Sequence, residues 1–576
     1  MRERQTTPQF RIGWLGLQWL LLSGTNMMAY CESSGLQRLR VIKDSTGEEE
    51  ETIFKDIWEA EAFLAEREAE RLLQGDIFTP GSFPPTPQPT GSPATSAPQT
   101  PQPTEDEFAC LDGRTRQEYL FDQLSLVSDS ADLLNPNTPQ GQAFIFMNND
   151  PLDPNVCAYP IEQRYGLVTF YFATEGALWT ANTGWVGGLT ECNWFGLLCN
   201  DGSLVSNMTL RNNNLVGSLP NEVSGMYAMT QMLLSENVLT NSIPTGISNM
   251  TELCVLDLEM NLLTGDPLPD QVILLPKLKQ LLLSDNLFED AQLPNELGLL
   301  TDLTDLWLSS NGMEGSIPTS IGFMTSLQTL ILSQNEFGST IPTEMGLLTD
   351  LTNLQIHENV FQNQIPSQLY GLQQLSVLRL NRNFFSGEVS ARIGDLVSLT
   401  DLRYDENFLS GNLPFSLSQL SALEIISFAG NRMTGSIPDS FSTFSALEVV
   451  DFSSNTYNGP LPATLFSLST IRLIYLNNNQ LSGALPASYG NSPVLEDLFL
   501  GNNLLSGQVP GISSGQLPSL NEFTLQANSF TGSMPASVCS LRTNAFLDNL
   551  FADCGGPTPE IQCDFPTCCT LCFQDT

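Results

Sequence analysis

Residues 303–318 read LTDLWLSSNGMEGSIP, and variants of this unit recur along residues 204–535. The prolines that close the units fall mostly 24 residues apart, from Pro220 to Pro535, with three single-residue insertions. Ser390 stands where the eighth proline would fall. A fixed period in this range is the mark of a solenoid, in which stacked units bury a shared core. The sequence therefore predicts one long repeat domain of about 14 units.

Each position of the unit L-x-x-L-x-L-x-x-N-x-L-x-G-x-I-P has a physical reason. The leucines at the start alternate as in a short strand, and stacked strands form a parallel sheet. The chain must then turn back, and an inward asparagine can satisfy the backbone groups of that turn because its amide both donates and accepts. We expect this asparagine ladder at Asn213, Asn237, Asn261, Asn286, Asn311, Asn335, Asn359, Asn383, Asn407, Asn431, Asn455, Asn479, Asn503 and Asn528.

These motifs resemble the leucine-rich repeat, specifically the plant-type extracellular class whose consensus carries G-x-I-P. The resemblance implies an α/β solenoid: a right-handed superhelix of about 14 repeats of 24 residues with a concave parallel sheet. Residues 164–200 resemble the N-terminal helical cap of such proteins, with Trp179, Trp185 and Trp194. The tail ADCGGPTPEIQCDFPTCCTLCF is similar to the cysteine-rich C-terminal caps of diatom-type algal repeat proteins.

Composition divides the remaining chain. Basic residues precede the apolar run IGWLGLQWLLL, which is the order of a secretory signal or an uncleaved signal-anchor. A segment with nine prolines in 26 positions predicts an extended stalk. The predicted divisions are a signal or anchor at 1–30, an acidic, partly helical leader at 31–78, the stalk at 79–104, an N-terminal cap at 105–203, the solenoid at 204–535 and a cysteine-rich cap at 536–576.

The charge excludes several partner classes. Acids number 63 against 22 bases, a net charge of −41, which disfavours nucleic acid and anionic membrane surfaces as partners. No phosphate loop, kinase signature, metalloprotease motif or nucleotide-binding turn occurs in the sequence. The sequence predicts that the chain is not an enzyme and binds no cofactor.

The cysteines cluster at two places, which indicates an oxidising compartment. Disulfides are expected between Cys192 and Cys199 and between Cys110 and Cys157. Six further cysteines allow three bridges in fifteen connectivities, or alternatively a zinc site around the C-x-x-C pair: Cys539, Cys554, Cys563, Cys568, Cys569 and Cys572. In a secreted chain, the sequons at Asn207 and Asn249 are candidate glycosylation sites, although crowding on the first repeat strand disfavours Asn207.

The concave sheet is where a ligand would bind. Its central column is predicted to expose an apolar strip followed by two arginines, with a second aromatic pair beyond them. Aromatic residues and arginine dominate binding energy at interfaces, although exposed strand positions also favour aromatic and β-branched residues without any ligand. The predicted contacts are Leu282, Trp307, Ile331, Gln355, His357, Arg379, Arg403, Tyr475 and Phe499.

His357 is the one histidine in 576 residues, and histidine titrates near neutral pH. Its repeat position places it at the end of a strand on the concave face, beside Glu358. The neighbouring positions offer no activated nucleophile and no acid–base pair in a pocket. It is therefore interpreted as a ligand contact or an ordinary surface residue.

The repeat and its resemblance imply a recognition protein, secreted or tethered to the cell surface or membrane by its N-terminal segment. It would bind a protein, peptide or glycan through the concave sheet and, having no kinase, would need a transmembrane co-receptor to signal. The alternatives are an inhibitor of an extracellular enzyme such as a polygalacturonase, or a structural or ice-interacting surface protein.

Overall fold

The computed structural model describes residues 37–42, 49–54, 111, 113–150, 160–544, 547–555, 560–563 and 567–573. The chain divides into two compact units, Met1–Pro101 and Gln102–Thr576. The described part of the first unit is an antiparallel ribbon of Gln37–Ile42 and Glu49–Phe54. The predicted signal or anchor, the predicted helix of the leader and the stalk lie outside the described residues. Within the described residues, none of the helices is long and apolar enough to cross a membrane.

One long sheet organises the second unit. Its first two strands are antiparallel and all later neighbours are parallel, with each strand paired to the corresponding strand of the next repeat. The seventeen strands, in spatial order, are Leu197–Cys199, Val205–Thr209, Gln231–Leu233, Val255–Asp257, Gln280–Leu282, Asp305–Trp307, Thr329–Ile331, Asn353–Gln355, Val377–Arg379, Asp401–Arg403, Ile425–Ser427, Val449–Asp451, Leu473–Tyr475, Asp497–Phe499, Glu522–Thr524, Asn549–Ala552 and Leu571–Cys572.

The core lies behind this sheet. The middle residue of a strand and the residue just after the strand point inward, as Leu354 and Ile356 do, and both are fully buried. Aromatic residues from the turn beyond the ladder fill the interior, and the Phe361 and Phe385 rings stack with centroids 6.1 Å apart. The inward-facing positions predicted from the leucine spacing are therefore the buried positions of the folded strand.

Shorter strands flank the ladder on the far side of each turn. The last residues of one flanking strand pair in parallel with the first residues of the flanking strand in the next repeat. They are Val216–Ser218, Val238–Asn241, Leu262–Leu263, Glu314–Gly315, Glu336–Ser339, Val360–Asn363, Phe384–Glu388, Phe408–Asn412, Arg432–Thr434, Asn458–Gly459, Gln480–Gly483, Leu504–Gly507, Ser529–Phe530, Gly532–Ser533 and Ile561–Gln562.

The convex side consists mainly of short 3-10 helices that begin after the repeat proline. Ser390, which replaces one proline, keeps the same extended backbone, and its side chain accepts a hydrogen bond from the Arg392 N–H at 3.2 Å. The segments are Asn221–Gly225, Thr245–Asn249, the α-turn Asp270–Ile273, Asn295–Leu299, Thr319–Phe323, Thr343–Leu347, Ser367–Gly371, Ala391–Asp395, Phe415–Gln419, Phe441–Thr443, Leu465–Ser467 and Ala487–Gly490.

The asparagine ladder holds each turn to its neighbour. Asn383 donates from Nδ2 to the carbonyls of Leu380 (3.2 Å) and, one repeat back, Ile356 (3.0 Å). Its Oδ1 accepts from the Phe361 N–H at 3.0 Å. The structure places Asn311, Asn335, Asn359, Asn407 and Asn431 in the same Nδ2 pattern. The ladder therefore replaces backbone pairing in a turn that is too tight for it.

The residue before each ladder asparagine adopts a left-handed backbone. Glu358, Arg382 and Glu406 have φ between 53° and 54°, and Gly430 is a glycine at the same repeat position. A left-handed backbone costs conformational free energy in residues with a Cβ, so the neighbouring ladder hydrogen bonds must hold it in place. Nothing in the repeat consensus signals the left-handed position, because glycine is rarely used there.

A helical cap closes the N-terminal end of the core. Its helices are Arg116–Leu124, Ser130–Leu133, Pro139–Asn149 and Ile161–Ala173, followed by 3-10 turns at Gly176–Leu178 and Glu191–Asn193. Trp179, Trp185 and Trp194 are buried, with Trp185 centroids 4.9 Å from both other indoles. The Cys192–Cys199 disulfide staples the cap, whereas Cys110 and Cys157 lie outside the described residues.

The C-terminal cap continues the sheet past the predicted boundary at residue 535. After the helix Ala536–Asn544, strands Asn549–Ala552 and Leu571–Cys572 add to its end. Asp553 occupies the next ladder position and accepts from the N–H groups of Ala527 (2.8 Å) and Asn528 (3.2 Å). A carboxylate suffices there because it needs only to accept.

Three disulfides hold this cap: Cys539–Cys568, Cys554–Cys572 and Cys563–Cys569. The sulfurs of Cys554, Cys563 and Cys569 lie within 4.8 Å of one another. Each of these three is already bonded to a cysteine, however, so no thiolate of the six is left for zinc. The zinc alternative considered from the sequence is therefore wrong.

Candidate functional site

The inner face of the sheet presents one central residue per strand. The parallel register sets Trp307 beside Ile331, then Gln355, Arg379 and Arg403 on successive strands. All five side chains are partly exposed. The structure thus brings these sequence-predicted contacts together as one continuous column on the concave face.

The apolar strip at the head of this column is shorter than the sequence predicts. Leu282 is only 3% exposed, so its prediction as a surface contact is wrong. Its register neighbours on the two adjacent strands are Asp257 and Trp307, whose indole is larger than a leucine side chain. Trp307 and Ile331 remain accessible, and the buried Nε1 of Trp307 has no hydrogen-bond partner in the described part of the chain.

Arg379 and Arg403 are held by one carboxylate that the sequence analysis missed. Arg379 donates to Asp401 Oδ2 from Nε (3.0 Å) and Nη2 (2.7 Å), and Arg403 Nε donates to Oδ1 at 2.9 Å. Gln355 Oε1 accepts from Arg379 Nη1 at 3.4 Å. The Asp401 side chain is 9% exposed, whereas the arginines are 32% and 37% exposed. The cluster keeps one positive charge in excess and orients both guanidinium groups along the face.

His357 lies beside this cluster. It is half-buried, and its Nδ1 has no hydrogen-bond partner among the described residues. Burial lowers the pKa of His357 below the ordinary histidine value, against the opposing charge of Glu358 and with a further lowering by Arg379. The imidazole is therefore neutral at neutral pH and available to accept or donate a hydrogen bond.

An exposed row of charge borders the same repeats. Arg382 pairs with Glu358 at 3.0 Å and with Glu406 at 3.4 Å. Exposed pairs of this kind contribute little to stability. Arg382, like Arg379 and Arg403, lies close enough to His357 to lower its pKa.

The second aromatic pair lies further along the column. The Tyr475 and Phe499 rings have centroids 4.9 Å apart and are inclined by 34°. Thr524 and then Phe551 follow in register, so the aromatic patch extends into the C-terminal cap. Phe551 was not among the predicted contacts, because the repeat consensus is lost after residue 535.

An acidic pair near the N-terminal repeats, Asp257 and the partly buried Glu259, lies outside the predicted contacts. Asp257 is 1% exposed, accepts from Ser235 Oγ at 3.0 Å and pairs with Arg211 at 2.7 Å. Burial, with the nearby charge of Asp257, raises the pKa of Glu259 to about 8. The fold therefore favours the protonated form of Glu259.

This raised pKa makes stability depend on pH. The unfolded glutamate ionises near its ordinary pKa and the folded one only near 8, so stability is lost as pH rises between these values. We expect Glu259→Gln to remove about 2–4 kcal/mol of this loss between pH 5 and pH 9. Urea denaturation of both proteins at the two pH values measures it. Parallel pH dependence in the variant and the wild type would contradict the burial of this carboxyl.

The two sequons differ in position. Asn207 lies on the inner sheet, and its Nδ2 donates to Gln231 Oε1 at 2.8 Å. Asn249 is exposed at the end of a convex 3-10 helix. Glycosylation stays a prediction for both, and the convex position offers the freer amide.

Solved structures similar to this chain include plant receptor ectodomains. The plant peptide hormone receptor RGFR1 in complex with RGF2 is 30% identical over 62% of this chain and 59% of its own, with a TM-score of 0.56. The PEPR1–AtPEP1 structure is 27% identical over 63% and 57%, with a TM-score of 0.54. The Arabidopsis receptor kinase HAESA ectodomain with an N-terminally extended IDA peptide hormone is 29% identical over 65% and 69%, with a TM-score of 0.52.

The chain has a leucine-rich-repeat solenoid fold. The predicted fold class is confirmed, as is the resemblance to plant-type ectodomains at the level of the fold. The chain spans less than two thirds of the length of the first two receptor structures. No protein-family model matches the chain, and no curated protein matches its sequence. The resemblance to algal proteins stays a prediction.

Proposed function

We propose that this solenoid is an extracellular or cell-surface recognition protein that binds a peptide along its concave sheet. The observation that carries the proposal is the cluster of Arg379, Asp401 and Arg403 beside Trp307 and Ile331. A buried carboxylate orients two guanidinium groups along the concave face, in the same column as apolar side chains. This combination of residue types is typical of interface hot spots.

The chemistry suggests how such a ligand would lie. A carboxylate of the ligand can bind the excess positive charge at Arg379 and Arg403, and bidentate contacts with guanidinium groups are among the stronger hydrogen bonds. An apolar side chain of the same ligand would pack on Ile331 and Trp307, two and three strands from Arg379. His357, kept neutral by burial, would hydrogen-bond the ligand backbone between them.

The similar structures support a peptide over other ligands, because those of RGFR1 and of the HAESA ectodomain contain peptide hormones. Four disulfides in the described part of the chain support an extracellular location. A transmembrane co-receptor belongs to the same proposal. Binding of glycans stays a prediction from the sequence.

The proposal is tested by screening residues 102–576 against peptides of the secreted fraction of the source cell and measuring the affinity of any captured peptide. We expect the double variant Trp307→Ala/Arg379→Ala to weaken binding roughly a hundredfold, since two hot-spot side chains are removed. Its melting temperature should stay within a few degrees, because Arg403 still pairs with Asp401.

The convex face offers a matched control. Phe323→Ala/Arg392→Ala removes the same kinds of side chain from exposed 3-10 helices and should leave peptide affinity unchanged. Equal affinity of the wild type and the concave variant would show that the ligand binds elsewhere. An enzyme inhibitor would instead capture a folded hydrolase and leave peptides unbound, so the screen separates the two functions.

A further inference from the structure

The C-terminal third of the concave face differs in chemistry from the arginine cluster. Tyr475 and Phe499 form a ring pair, and Thr524 and Phe551 continue the same column on the next two strands. Tyr475, Phe499 and Phe551 are partly exposed. Three partly exposed aromatic side chains thus occur on four consecutive strands of the inner surface, with Thr524 between Phe499 and Phe551.

Two buried oxygen atoms within this patch have no hydrogen-bond partner among the described residues. Thr524 is 2% exposed, stands between Phe499 and Phe551 in the column, and its hydroxyl makes no hydrogen bond to the described residues. Asp497, two residues before Phe499 on the same strand, has a buried Oδ1 with no partner among the described residues. Hydrogen bonds from Asn521, Tyr475 and the Glu522 backbone to this carboxylate lower its pKa, so the carboxylate as a whole is partly satisfied. Buried polar atoms are normally paired, and an unpaired one costs free energy unless a ligand or water completes it. The Asp497 oxygen can only accept, so it calls for a donor.

Carboxylates surround the rings, and no cation of the described residues forms an ion pair with them. Asp451 precedes Tyr475 in the central column, and Asp497 and Glu522 lie in the neighbouring column. Burial is the largest cause that raises the pKa of each. Asp451 accepts from Ser453 Oγ at 2.7 Å, which leaves its charge uncompensated. Within the described residues, the negative charge of these three carboxylates at the C-terminal third of the concave face is therefore not neutralised by an ion pair.

The arginines of this region are engaged elsewhere. Residues 421–576 contain three arginines and no lysine or histidine against twelve acids. Arg472 is held by Glu496 at 2.9 Å and Glu448 at 3.6 Å. Arg432 lies 4.5 Å over the Phe408 ring on the flanking strands, and Arg542 donates to the Asp548 carbonyl at 3.0 Å.

We infer that the patch formed by Tyr475, Phe499, Thr524 and Phe551, with Asp497 and Glu522, is a subsite for a cationic group, the guanidinium or ammonium of a peptide. Aromatic rings attract cations through their quadrupole, and the neighbouring carboxylates add charge and acceptors. The inference rests on the proposed function, since it adds a second anchor to the same concave ligand.

The position of the subsite sets the spacing of the ligand. Arg403 and Tyr475 lie three strands apart, and Arg379 and Phe499 lie five strands apart. At about 4.8 Å per strand these separations are about 14 Å and 24 Å, and an extended peptide advances about 3.4 Å per residue. A ligand that reaches both subsites would carry its basic group about four to seven residues from its acidic group.

The test uses the tripeptide Ac-Arg-Arg-Arg-NH2 and its isostere Ac-Cit-Cit-Cit-NH2, in which neutral citrulline replaces arginine. Their binding to residues 102–576 is measured by titration calorimetry at constant salt. We expect the arginine peptide to bind at least tenfold more tightly than the citrulline peptide. Asp497→Asn/Glu522→Gln and, separately, Tyr475→Ala/Phe499→Ala should each weaken the arginine peptide about tenfold.

Because the protein is strongly acidic, a matched control is needed against nonspecific attraction. Glu336→Gln/Glu388→Gln removes the same charge from exposed positions on the flanking strands and should leave the affinity unchanged. An equal loss in this control, equal affinity for the citrulline peptide, or unchanged binding by the Asp497/Glu522 variant would each overturn the inference. Thermal melts of every variant show that a loss of binding is not a loss of fold.

The two proposals fail separately. Trp307→Ala/Arg379→Ala should retain arginine-peptide binding, because these residues lie on strands distant from the aromatic patch. If secreted peptides bind no part of the concave sheet while the arginine peptide still binds with the expected variant pattern, the proposed function fails and the cationic subsite stands. If secreted peptides bind the concave sheet but the arginine peptide does not show the expected variant pattern, the cationic subsite fails and the proposed function stands.

Discussion

Replacing Asn383 with alanine should lower the free energy of unfolding by roughly 3–5 kcal/mol. The amide serves the Ile356 and Leu380 carbonyls and the Phe361 N–H, all buried in the turn. Alanine supplies neither donor nor acceptor, so the Phe361 N–H would lose its hydrogen bond in a region closed to solvent. The Ile356 and Leu380 carbonyls would each keep only the bond from the neighbouring ladder residue, Asn359 or Asn407. Urea denaturation followed by far-UV circular dichroism measures the change.

Asn381 is the matched control for this substitution. It is the same residue type two positions earlier, partly exposed on the concave face, and its Oδ1 has no hydrogen-bond partner in the described structure. Asn381→Ala should therefore change stability by less than about 1 kcal/mol. If both variants lose the same stability, the ladder does not carry the role assigned to it.

Removing the Cys539–Cys568 disulfide by substituting both cysteines with alanine should cost about 3.5 kcal/mol, since it closes a loop of 29 residues. Removing Cys563–Cys569, which spans 6 residues, should cost only about 2 kcal/mol on the same chain-entropy argument. Both bridges belong to one cap and each includes a buried cysteine, so the comparison isolates loop length.

The two double variants are compared by chemical denaturation under non-reducing conditions, with mass spectrometry confirming that the other bridges remain. A larger loss for the shorter loop would mean that local packing at Cys569, rather than loop closure, sets the contribution. A loss in neither variant would show that the repeat core alone closes the end of the solenoid.

The repeat register was predictable to the residue. From Trp307 to Phe499 the central column follows the order read from the sequence, because each strand pairs with its counterpart one repeat away. The period fixes the register, because a shift of one residue in the strand pairing would turn the buried leucines outward. That penalty recurs in every repeat, so the sequence pattern alone specifies which face each residue occupies.

The state of each side chain on that face was less predictable. Asp401 lies in a neighbouring column, and only its contacts with Arg379 and Arg403 reveal that it orients both. Leu282 and Trp307 occupy equivalent repeat positions, yet one is buried and the other partly exposed. Such differences depend on the size and rotamer of residues about 24 positions away, which no local pattern contains.

At the C-terminal end, too, the sequence predicted the element and the tertiary structure decided its contacts. The sequence identified a cysteine-rich cap, but six cysteines left fifteen connectivities open, and the zinc alternative with them. Folding decided the pairing, because the strands Asn549–Ala552 and Leu571–Cys572 dock on the last repeat and bring Cys554 to Cys572. Phe551 entered the aromatic column by the same docking.

The sequence by itself determined the solenoid, its register and the ladder, since these repeat every 24 residues and each copy reinforces the same choice. Only the tertiary structure decided where charge is compensated on the inner face. Arg379 and Arg403 share Asp401, while Asp497 keeps an unpartnered oxygen beside Tyr475 and Phe499. Charge compensation depends on distances of a few ångströms between side chains from different repeats, and those distances exist only once the strands have stacked.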